Sequence, residues 1–422
     1  MLERASILRS YVRGLILPYI KAYEVMLSRL NTRLDGSGLS DGVNTHITSL
    51  PNLETVGSLT AVNGGQVGGF RNRIINGDMR VSQRLGASAA VVTGEASVYS
   101  LDRWRHTVDI GDAEIEIYQT DRDAPRQALT VDVTTHEEET AVDALLTIEQ
   151  YVEANNIQDL MLGTADAQIV TLSFSVRGST PGTYCGSLHN ELNDRSFVFE
   201  YDLIAVDTEE RKSITIHLDS AGTWEAGTNV GLVVRFTLAA GTDHHTEDTL
   251  SWEDDNATAT DNQTNLTEIE NGYIDFTDIQ LEVGPAATAF ERRPIGVELG
   301  MCQRYYQKSY PIDLPPGTNI SNGAEAFVAR TPVASTSDVI LFDHSVRFIS
   351  VMRTAPVVVL YAPAGDQYAI FNVSDADVIT PAAVEMLSDR GFSAITVDDA
   401  NTETIAADDN VAFHYTADAD YV

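Results

Sequence analysis

The sequence has few cysteines, few basic residues and no long apolar run, and each scarcity excludes a class of protein. Its 422 residues include two cysteines, Cys185 and Cys302, too few for a disulfide framework, so we expect two free thiols. The longest apolar run near the N-terminus, residues 14–20, is interrupted by Pro18 and is far shorter than the ~20 residues of a membrane-spanning helix. We expect a protein that is made in a cytoplasm and does not insert into a membrane.

Positive charge is the other scarcity. The chain has 27 Lys and Arg against 62 Asp and Glu, which gives a formal net charge of −35. Such a charge opposes binding to nucleic acids, anionic membranes and other polyanions. Two explanations of the acidity stay open. The surface is adapted to salty water, where screening confines electrostatic forces to a few ångström, or some carboxylate clusters hold divalent cations.

Residues 1–35 differ from the rest in both charge and periodicity. They carry six basic and three acidic residues, a net +3 that leaves −38 for the remainder. Apolar residues recur with a 4-3-4-3-4 spacing, which places one narrow stripe along a helix as in a short coiled coil. The residues of this stripe are Ile16, Ile20, Tyr23, Leu27, Leu30 and Leu34. The pattern predicts a helical segment for attachment and oligomerisation, and a lone amphipathic helix packed on its own domain is the alternative.

Beyond this segment the sequence predicts two β domains. Residues 36–70 are rich in Gly, Ser, Thr and Asn and are expected to form a flexible linker. In residues 71–290, stretches such as "IVTLSFSVRG" (169–178) alternate apolar and polar residues with the period of a half-buried strand. Gly, Asn and Asp turns separate these strands without intervening helices, which indicates an antiparallel sandwich. Residues 311–422 repeat the pattern in a smaller β domain.

Two local features of the β domains can also be predicted. The alternation in "YIDFTDIQLE" (273–282) changes phase, which implies a β-bulge near Thr277 and Asp278. Trp104, in "LDRWRH", has a strand-like setting and is expected in the core, with Asp102 and Arg103 fixing the strand end.

The segment between the domains, residues 291–310, is unusual in so acidic a chain. It is part of "GPAATAFERRPIGVELGMCQRYYQKSY" and is expected to contain a linking helix at about residues 297–307. Its arginines are expected to pair with carboxylates of both domains, and its tyrosines to fill the seam between them. The residues assigned to this junction are Arg292, Arg293, Arg304, Tyr305 and Tyr306.

The sequence contains no signature of catalysis. A Walker-type phosphate loop, an HExxH zinc helix and a GxSxG elbow are all missing, and acidic residues are so abundant that paired carboxylates carry no signal. Carbohydrate contact is more plausible, because the apolar face of a sugar stacks on exposed aromatic rings. Trp224, Trp252 and Tyr184 lie in polar stretches and are predicted to contact glycan from loops. Partial burial of these rings against their own domain is the alternative.

Several motifs together resemble a known family. The stretches "NRIINGDMRVSQR" (72–84), "YSLDRW" (99–104), "VTLSFSVRGSTPGTYCGSLHN" (170–190), "YIDFTDIQLEVGPAATAFERRPIGVELGMCQRYYQKS" (273–309) and "NVAFHYTADAD" (410–420) resemble bacteriophage tail-fibre-like proteins. The resemblance covers about residues 71–422. It implies a virion structural protein, with residues 1–70 varying according to the particle that holds the fibre.

The first β domain also resembles the jelly-roll sandwiches of carbohydrate-binding modules. In such modules a calcium ion bridges the first and last strands, and Asp78, Asp275 and Asp278 offer oxygen ligands of the right chemistry here. The "FTDIQLE" strand departs from the module pattern, so the calcium site is not transferred directly. Surface or turn-forming roles for these aspartates are the alternative.

We therefore expect a mostly β protein with an N-terminal helical anchor, a jelly-roll-like sandwich, a short linking helix and a smaller β domain. The function expected is a short tail fibre, a homotrimer that anchors in a tail or capsid socket and binds host-surface glycan. A capsid-decorating head fibre without a specific ligand is the first alternative, and a glycan depolymerase is the second.

Overall fold

The computed structural model describes residues 69–123, 126–330, 333–334, 338–341, 344–398 and 405–421. The predicted helix of residues 1–35, with its stripe from Ile16 to Leu34, lies outside the described residues, as does the predicted linker up to residue 68. The described part is mostly β, as predicted. None of its helices is long and apolar enough to cross a membrane.

The first domain is built on one antiparallel sheet of eleven strands. The strands are β1 (Ala90–Tyr99), β2 (Arg105–Asp123), β3 (Arg126–Thr135), β4 (Leu145–Glu153), β5 (Ile169–Gly178), β6 (Gly182–His189), β7 (Ser196–Leu203), β8 (Glu210–His217), β9 (Val230–Ala240), β10 (Trp252–Glu253) and β11 (Tyr273–Val283). Their order across the sheet is β10-β7-β6-β9-β4-β2-β3-β11-β5-β8, with β1 beside β2. Short 3-10 turns lie at Ala154–Asn156, Gln158–Leu160, Thr242–His244 and Leu266–Glu268.

This sheet curls over so that its two halves share one core. Phe174 on β5 and Phe236 on β9 have ring centroids 4.8 Å apart, although four strands separate β5 from β9 in the sheet. Neighbouring strands are ~4.8 Å apart, so the two rings could not touch across a flat sheet. Phe276 on β11 completes the group, 4.8 Å from Phe236. The alternating strands predicted from the sequence thus turn their apolar sides inwards.

The motif residues near the start of the domain lie together in this core. Trp104 is fully buried, as predicted, and its indole Nε1 donates a hydrogen bond to the Asn76 carbonyl over 3.0 Å. The Asn76 amide in turn donates to the carbonyls of Val81 and Asp102, over 2.8 and 3.0 Å. The "NGD" and "DRW" triplets are therefore hydrogen-bonded to each other inside the domain.

Other local predictions are confirmed as well. The stretch 169–178 forms β5 with the predicted bounds. The register between β11 and β5 shifts between Thr277 and Gln280, and Asp278 adopts a left-handed φ of 51°, which together form the predicted bulge. Both cysteines are free and buried.

In the residues that the structure describes, the second domain begins with one helix, α1 (Ile295–Cys302), which is followed by twelve strands. The strands are β12 (Tyr306–Lys308), β13 (Glu325–Val328), β14 (Val333–Ala334), β15 (Asp338–Leu341), β16 (Val346–Arg347), β17 (Val357–Tyr361), β18 (Ile370–Asn372), β19 (Asp377–Ile379), β20 (Ala382–Glu385), β21 (Gly391–Phe392), β22 (Ala394–Asp398) and β23 (Asn410–Asp418). Strand β23 is central, since it pairs with β12, β13, β17 and β18. Strands β14-β15-β22-β20 and β16-β21 form two smaller sheets.

The linking helix is shorter than the sequence predicts. It ends at Cys302 instead of continuing to residue 307, and Tyr306 already belongs to β12, opposite Asp418 of β23. The predicted continuation of the helix to residue 307 is overridden because a tertiary partner, β23, takes the backbone hydrogen bonds of residues 306–308.

The junction residues join the two domains through buried polar contacts. Arg304 donates to Glu153 of the first domain through Nε and Nη2, over 2.8 and 2.7 Å, and the Tyr305 hydroxyl donates to the same carboxylate over 2.8 Å. Arg293 is buried and donates to the backbone carbonyls of Asn72 and Ile74. A charged group buried in this way is stable only when its donors are satisfied, so these contacts fix the link to the first domain.

A second set of contacts runs in the opposite direction, from arginines of the first domain to the second. Arg84 lies over the Tyr306 ring, 3.9 Å from its centroid, and donates to Asp418 over 2.6 Å. Arg103 lies 3.6 Å from the Tyr305 centroid and pairs with Asp420, and both of these charged side chains are almost fully buried.

Candidate functional site

A groove of about 640 Å³ lies where one face of the first domain's sheet meets the second domain. Strands β2, β4 and β9 provide its floor, and the second domain contributes one wall. The lining residues that matter most for its chemistry are Arg105, Tyr151, Asn193, Arg235, Arg353 and Tyr421.

The floor carries a row of charged side chains across three neighbouring strands. Arg105 on β2 lies directly opposite Glu149 on β4, which lies directly opposite Arg235 on β9. Glu149 accepts hydrogen bonds from Arg235 Nε over 2.6 Å and from Arg105 Nη1 over 3.2 Å. Cross-strand neighbours share one face of a sheet, so the register itself fixes the spacing of this row.

Glu149 is ionised in this setting. Its side chain is fully buried, which by itself raises the pKa of a carboxyl group, but the charges of Arg235 and Arg105 and the hydrogen bond from Thr107 outweigh burial and hold the pKa below its ordinary value. The carboxylate therefore orients the two arginines and neutralises part of their charge.

Two tyrosines lie beside the charged row. Tyr151 follows Glu149 on the same face of β4, and its hydroxyl accepts a hydrogen bond from Arg105. Tyr421 of the second domain packs against the Tyr151 ring, with centroids 5.8 Å apart and planes at 76°. Arg353 covers the Tyr421 ring at 3.9 Å and donates to the Ala419 and Thr228 carbonyls. The second domain is thus a structural part of the groove.

Loops of the first domain build the opposite rim. Asn193, in the β6–β7 turn, accepts a hydrogen bond from Arg235 Nη2 over 3.1 Å. The same turn is tied to the loop before β9, because the Asn190 amide donates to the Thr223 carbonyl and Arg195 makes two hydrogen bonds to Asp219, over 2.7 and 2.9 Å. These contacts hold the rim in one position relative to the floor.

The structure brings together two of the predicted glycan-contacting residues. Trp224 and Trp252 pack edge to face with ring centroids 5.4 Å apart, and both are partly buried against the core. Their indole nitrogens donate to the backbone carbonyls of Ala221 and His217, over 2.9 and 2.8 Å. Trp224 lies in the loop before β9 that Asn190 ties down, whereas Trp252 lies on β10 and not in the predicted loop, and neither residue lines the groove.

Tyr184 does not occupy the predicted position. It belongs to β6 and not to a loop, it is fully buried, and its hydroxyl donates to the Thr180 carbonyl over 3.1 Å. The Gly and Thr residues around Tyr184 predict a loop, but Gly182, Thr183 and Gly186 lie within the strand itself. A ring enclosed in the core cannot stack on a sugar, so this prediction is wrong.

Arginines neutralise the three aspartates predicted as calcium ligands, and the structure does not gather these aspartates around one point. Asp275 lies between Arg122 and Arg177, at 2.5 and 2.8 Å. Asp278 pairs with Arg126 and Arg292 at 3.1 and 3.0 Å, and Asp78 pairs with Arg80 at 2.5 Å. In the described ranges no three His, Cys, Asp or Glu side chains are grouped to hold a metal ion. Calcium binding stays a prediction without an assembled site.

Sequence reasoning missed the residues that form the groove. A signal exists in "LLTIEQYVE", where Thr147, Glu149 and Tyr151 alternate with the apolar residues Leu146 and Ile148 and therefore share the outer face of β4. The pairing of this strand with Arg105 and Arg235 depends on contacts between distant parts of the chain, which no local pattern encodes.

Comparisons with known proteins give no assignment by sequence. No protein-family model matches the chain, and no curated protein matches it significantly. Solved structures with partial similarity include the enzymatically active domain of tailspike protein 4 of bacteriophage CBA120 (8% identity, TM-score 0.26), a CBM4 carbohydrate-binding module (13%, TM-score 0.25) and a family 11 carbohydrate-binding module of Clostridium thermocellum solved with a mixed-linked tetrasaccharide (10%, TM-score 0.25).

The similarity is confined to half of this chain. It covers 50%, 49% and 48% of the chain, and 21%, 97% and 98% of the three structures respectively. The chain therefore spans about one fifth of the tailspike structure. At such low TM-scores the function of this chain has to be inferred from its own residues.

Proposed function

We propose that this protein is a short tail fibre of a bacteriophage virion that binds glycan on the host surface through its β domains. The virion role is supported by the motifs at residues 72–84, 99–104 and 273–309, which resemble those of tail-fibre-like proteins. The binding role is supported by the chemistry of the groove between the domains.

The observation that carries the binding role is the row Arg105–Glu149–Arg235 beside the rings of Tyr151 and Tyr421. A sugar ring has hydroxyl groups around its edge and an apolar face of C–H groups. Arginine donates to hydroxyl oxygens, the Asn193 amide both donates and accepts, and the partly exposed Tyr151 ring, backed by Tyr421, offers apolar surface. The groove provides all three kinds of contact from its sheet floor, its loop rim and the wall of the second domain.

We propose binding rather than hydrolysis. A glycosidase needs a protonated carboxylic acid as its general acid, and the pKa of such a group is raised by its surroundings. Glu149, the carboxylate on the floor, has a lowered pKa and is fully buried beneath two arginines. It is a fixed counter-ion for those arginines and does not have the properties of a proton donor.

The attachment of the fibre is proposed from the sequence. Residues 1–35 anchor the chain in a tail or capsid socket, and their apolar stripe brings three copies together. Three grooves on each fibre, and several fibres on each particle, would turn weak contacts with single glycans into stable attachment.

Two experiments test the proposal. Cryo-electron microscopy of the virion should show trimeric appendages of this protein at the tail; density spread over the capsid would instead favour a decorating head fibre. The purified protein should bind members of an array of bacterial surface polysaccharides without releasing reducing ends. Reducing-end release would favour a depolymerase, and failure to bind any member would count against the receptor-binding role.

A further inference from the structure

We propose that the glycan-binding groove continues into a second cleft on the C-terminal domain, so that the site takes an oligosaccharide long enough to contact both domains. The inference rests on the proposed glycan binding and adds a subsite to it. Its chemical class of ligand is an unbranched stretch of several sugars, in contrast to a single terminal sugar.

The second cleft adjoins the groove. It has a volume of about 460 Å³, and its lining includes Arg105, Asp420 and Tyr421, which also line the groove. One wall comes from the first domain, through Ser97 and Tyr99 on β1. In the proposed binding mode, a chain leaves the groove past Arg105 and Tyr421, which border both cavities, and continues into this cleft.

The floor of the cleft is the outer face of the sheet β12-β23-β17. Tyr306, Asp418 and Val357 form one row across the three strands, since each lies directly opposite the next. Thr416 and Val359 form the next row on β23 and β17. Because the strand register is fixed, the side chains of the floor form two successive rows across the strands.

Strand β17 is apolar on both of its faces, which a half-buried strand ordinarily avoids. Leu360 lies in the core of the second domain and Val358 packs against it, whereas Val357, Val359 and Tyr361 line the cleft. Val357 is 69% exposed. An outward row of apolar side chains is explained if something covers it, and the cleft leaves room for a ligand.

The remaining lining groups suit a sugar. Tyr99 adds partly exposed aromatic surface, the buried rings of Tyr306 and Tyr421 reach the cleft only at their edges, and Arg84 is fixed over the Tyr99 and Tyr306 rings at 4.9 and 3.9 Å. Polar groups remain at Ser97 and at Thr416. Apolar surface with a few fixed polar groups is the composition of sites that bind the faces of sugar rings.

Continuity with the groove identifies the occupant as the same glycan chain. The competing occupant is a second copy of this protein, which would cover Val357 and Val359 through self-association. The two possibilities differ in their dependence on added glycan and on protein concentration.

The test compares a double variant, Val357→Ser with Val359→Ser, with the control Ile349→Ser. Ile349 is 74% exposed and does not line the cleft, so the control removes a similar apolar side chain elsewhere on the same domain. The probes are bacterial O-chain and capsular polysaccharides, each used as intact polymer and as a hydrolysate of about two to three sugars. Thermal melting of each variant confirms that it is folded.

The double variant should bind intact polymers at least about fivefold more weakly than the wild type, and the short fragments with unchanged affinity. The control should match the wild type with both probes. Equal binding of polymer by the double variant and the wild type would remove the cleft from the site and leave the groove intact.

Two other outcomes would also overturn the inference. A wild-type oligomer in sedimentation that dissociates only in the double variant would assign the cleft to a second copy of the chain. Failure of the wild type to bind any polysaccharide would instead reject the proposed glycan binding itself.

Discussion

The ring of Tyr421 meets the ring of Tyr151 edge-on, with centroids 5.8 Å apart, and this contact joins the second domain to the floor of the groove in the first. The Tyr421 hydroxyl also shares its one proton between the Thr228 and Asn229 carbonyls, at 2.9 and 3.2 Å. The Tyr421 side chain therefore packs on the groove's floor, helps to form its wall and is hydrogen-bonded to the backbone directly before β9.

Truncation of Tyr421 should weaken both the junction and the groove. We expect Tyr421→Ala to lower the free energy of unfolding by ~3 kcal/mol, because it removes a buried aromatic ring. Tyr421→Phe, the matched control, keeps the ring and should cost only ~1 kcal/mol for the lost hydrogen bonds. Urea unfolding measures both. If both variants kept the free energy of unfolding of the wild type, the ring would not hold the domains together.

The buried ion pair between Arg103 and Asp420 should be far more important for stability than an exposed pair of the same type. Both side chains are almost fully buried, so Asp420→Asn leaves a buried guanidinium without its counter-charge, at a cost of ~3–5 kcal/mol. Asp254, the partner of Arg195, is 91% exposed, and Asp254→Asn should cost less than ~1 kcal/mol. Similar losses in denaturant unfolding for the two variants would contradict this account of the junction.

Acid should open the junction. Burial by itself raises the pKa values of Glu153 and Asp418. For Glu153 the hydrogen bonds from Arg304 and Tyr305 outweigh burial and lower the pKa. For Asp418 the charge of Arg84 and its hydrogen bond do the same. Carboxylates with lowered pKa values stabilise the folded state fully above their unfolded pKa, ~4, and lose this contribution as the pH falls further.

Burial lowers the pKa values of His106, His189 and His414, so the unfolded chain binds protons that the folded state excludes, and the melting temperature should begin to fall below about pH 6.5. The decline should steepen below about pH 4, where Glu153 and Asp418 also lose their contribution. Glu153→Gln should lower the melting temperature at neutral pH and make its decline in acid shallower. A Glu153→Gln variant whose melting temperature falls below about pH 4 as steeply as that of the wild type would contradict this explanation.

Removal of residues 1–35 should separate attachment from folding. The truncated protein should keep the melting temperature of the full chain, because the described domains have their own cores, and it should be missing from assembled virions. Mass spectrometry of purified particles measures its incorporation. Normal incorporation of the truncated chain would reject the role of these residues as an anchor.

Local patterns predict the elements of this fold better than their assembly. The alternation in residues 169–178 is sufficient to predict β5, and the phase change near Thr277 is sufficient to predict the bulge, because each depends on neighbouring residues. The end of α1 at Cys302 could not be predicted in this way, because β23, more than 100 residues later, takes over the backbone of Tyr306.

The site shows the same limit. The polar surroundings of Trp224 and Trp252 predict two glycan-contacting residues, but the contact between the two rings cannot be deduced from positions 28 residues apart. The groove combines residues of three strands and of the second domain, so its chemistry follows from the sheet register and the domain contact. Composition even points away from it, because acidic residues outnumber basic ones by 62 to 27 in the chain and yet three arginines line this groove.

The most direct test of the account is a calorimetric titration of an array-selected bacterial polysaccharide into three proteins: the wild type, the double variant Glu149→Gln with Arg235→Gln, and the control Arg126→Gln with Glu209→Gln. Each double variant removes one Arg–Glu pair and leaves the net charge unchanged, but only Glu149 and Arg235 belong to the groove's floor. We expect the groove variant to bind at least about tenfold more weakly, which corresponds to the loss of charge-assisted hydrogen bonds, and the control to bind like the wild type. Wild-type affinity in a folded groove variant would contradict the central claim that glycan binds in this groove.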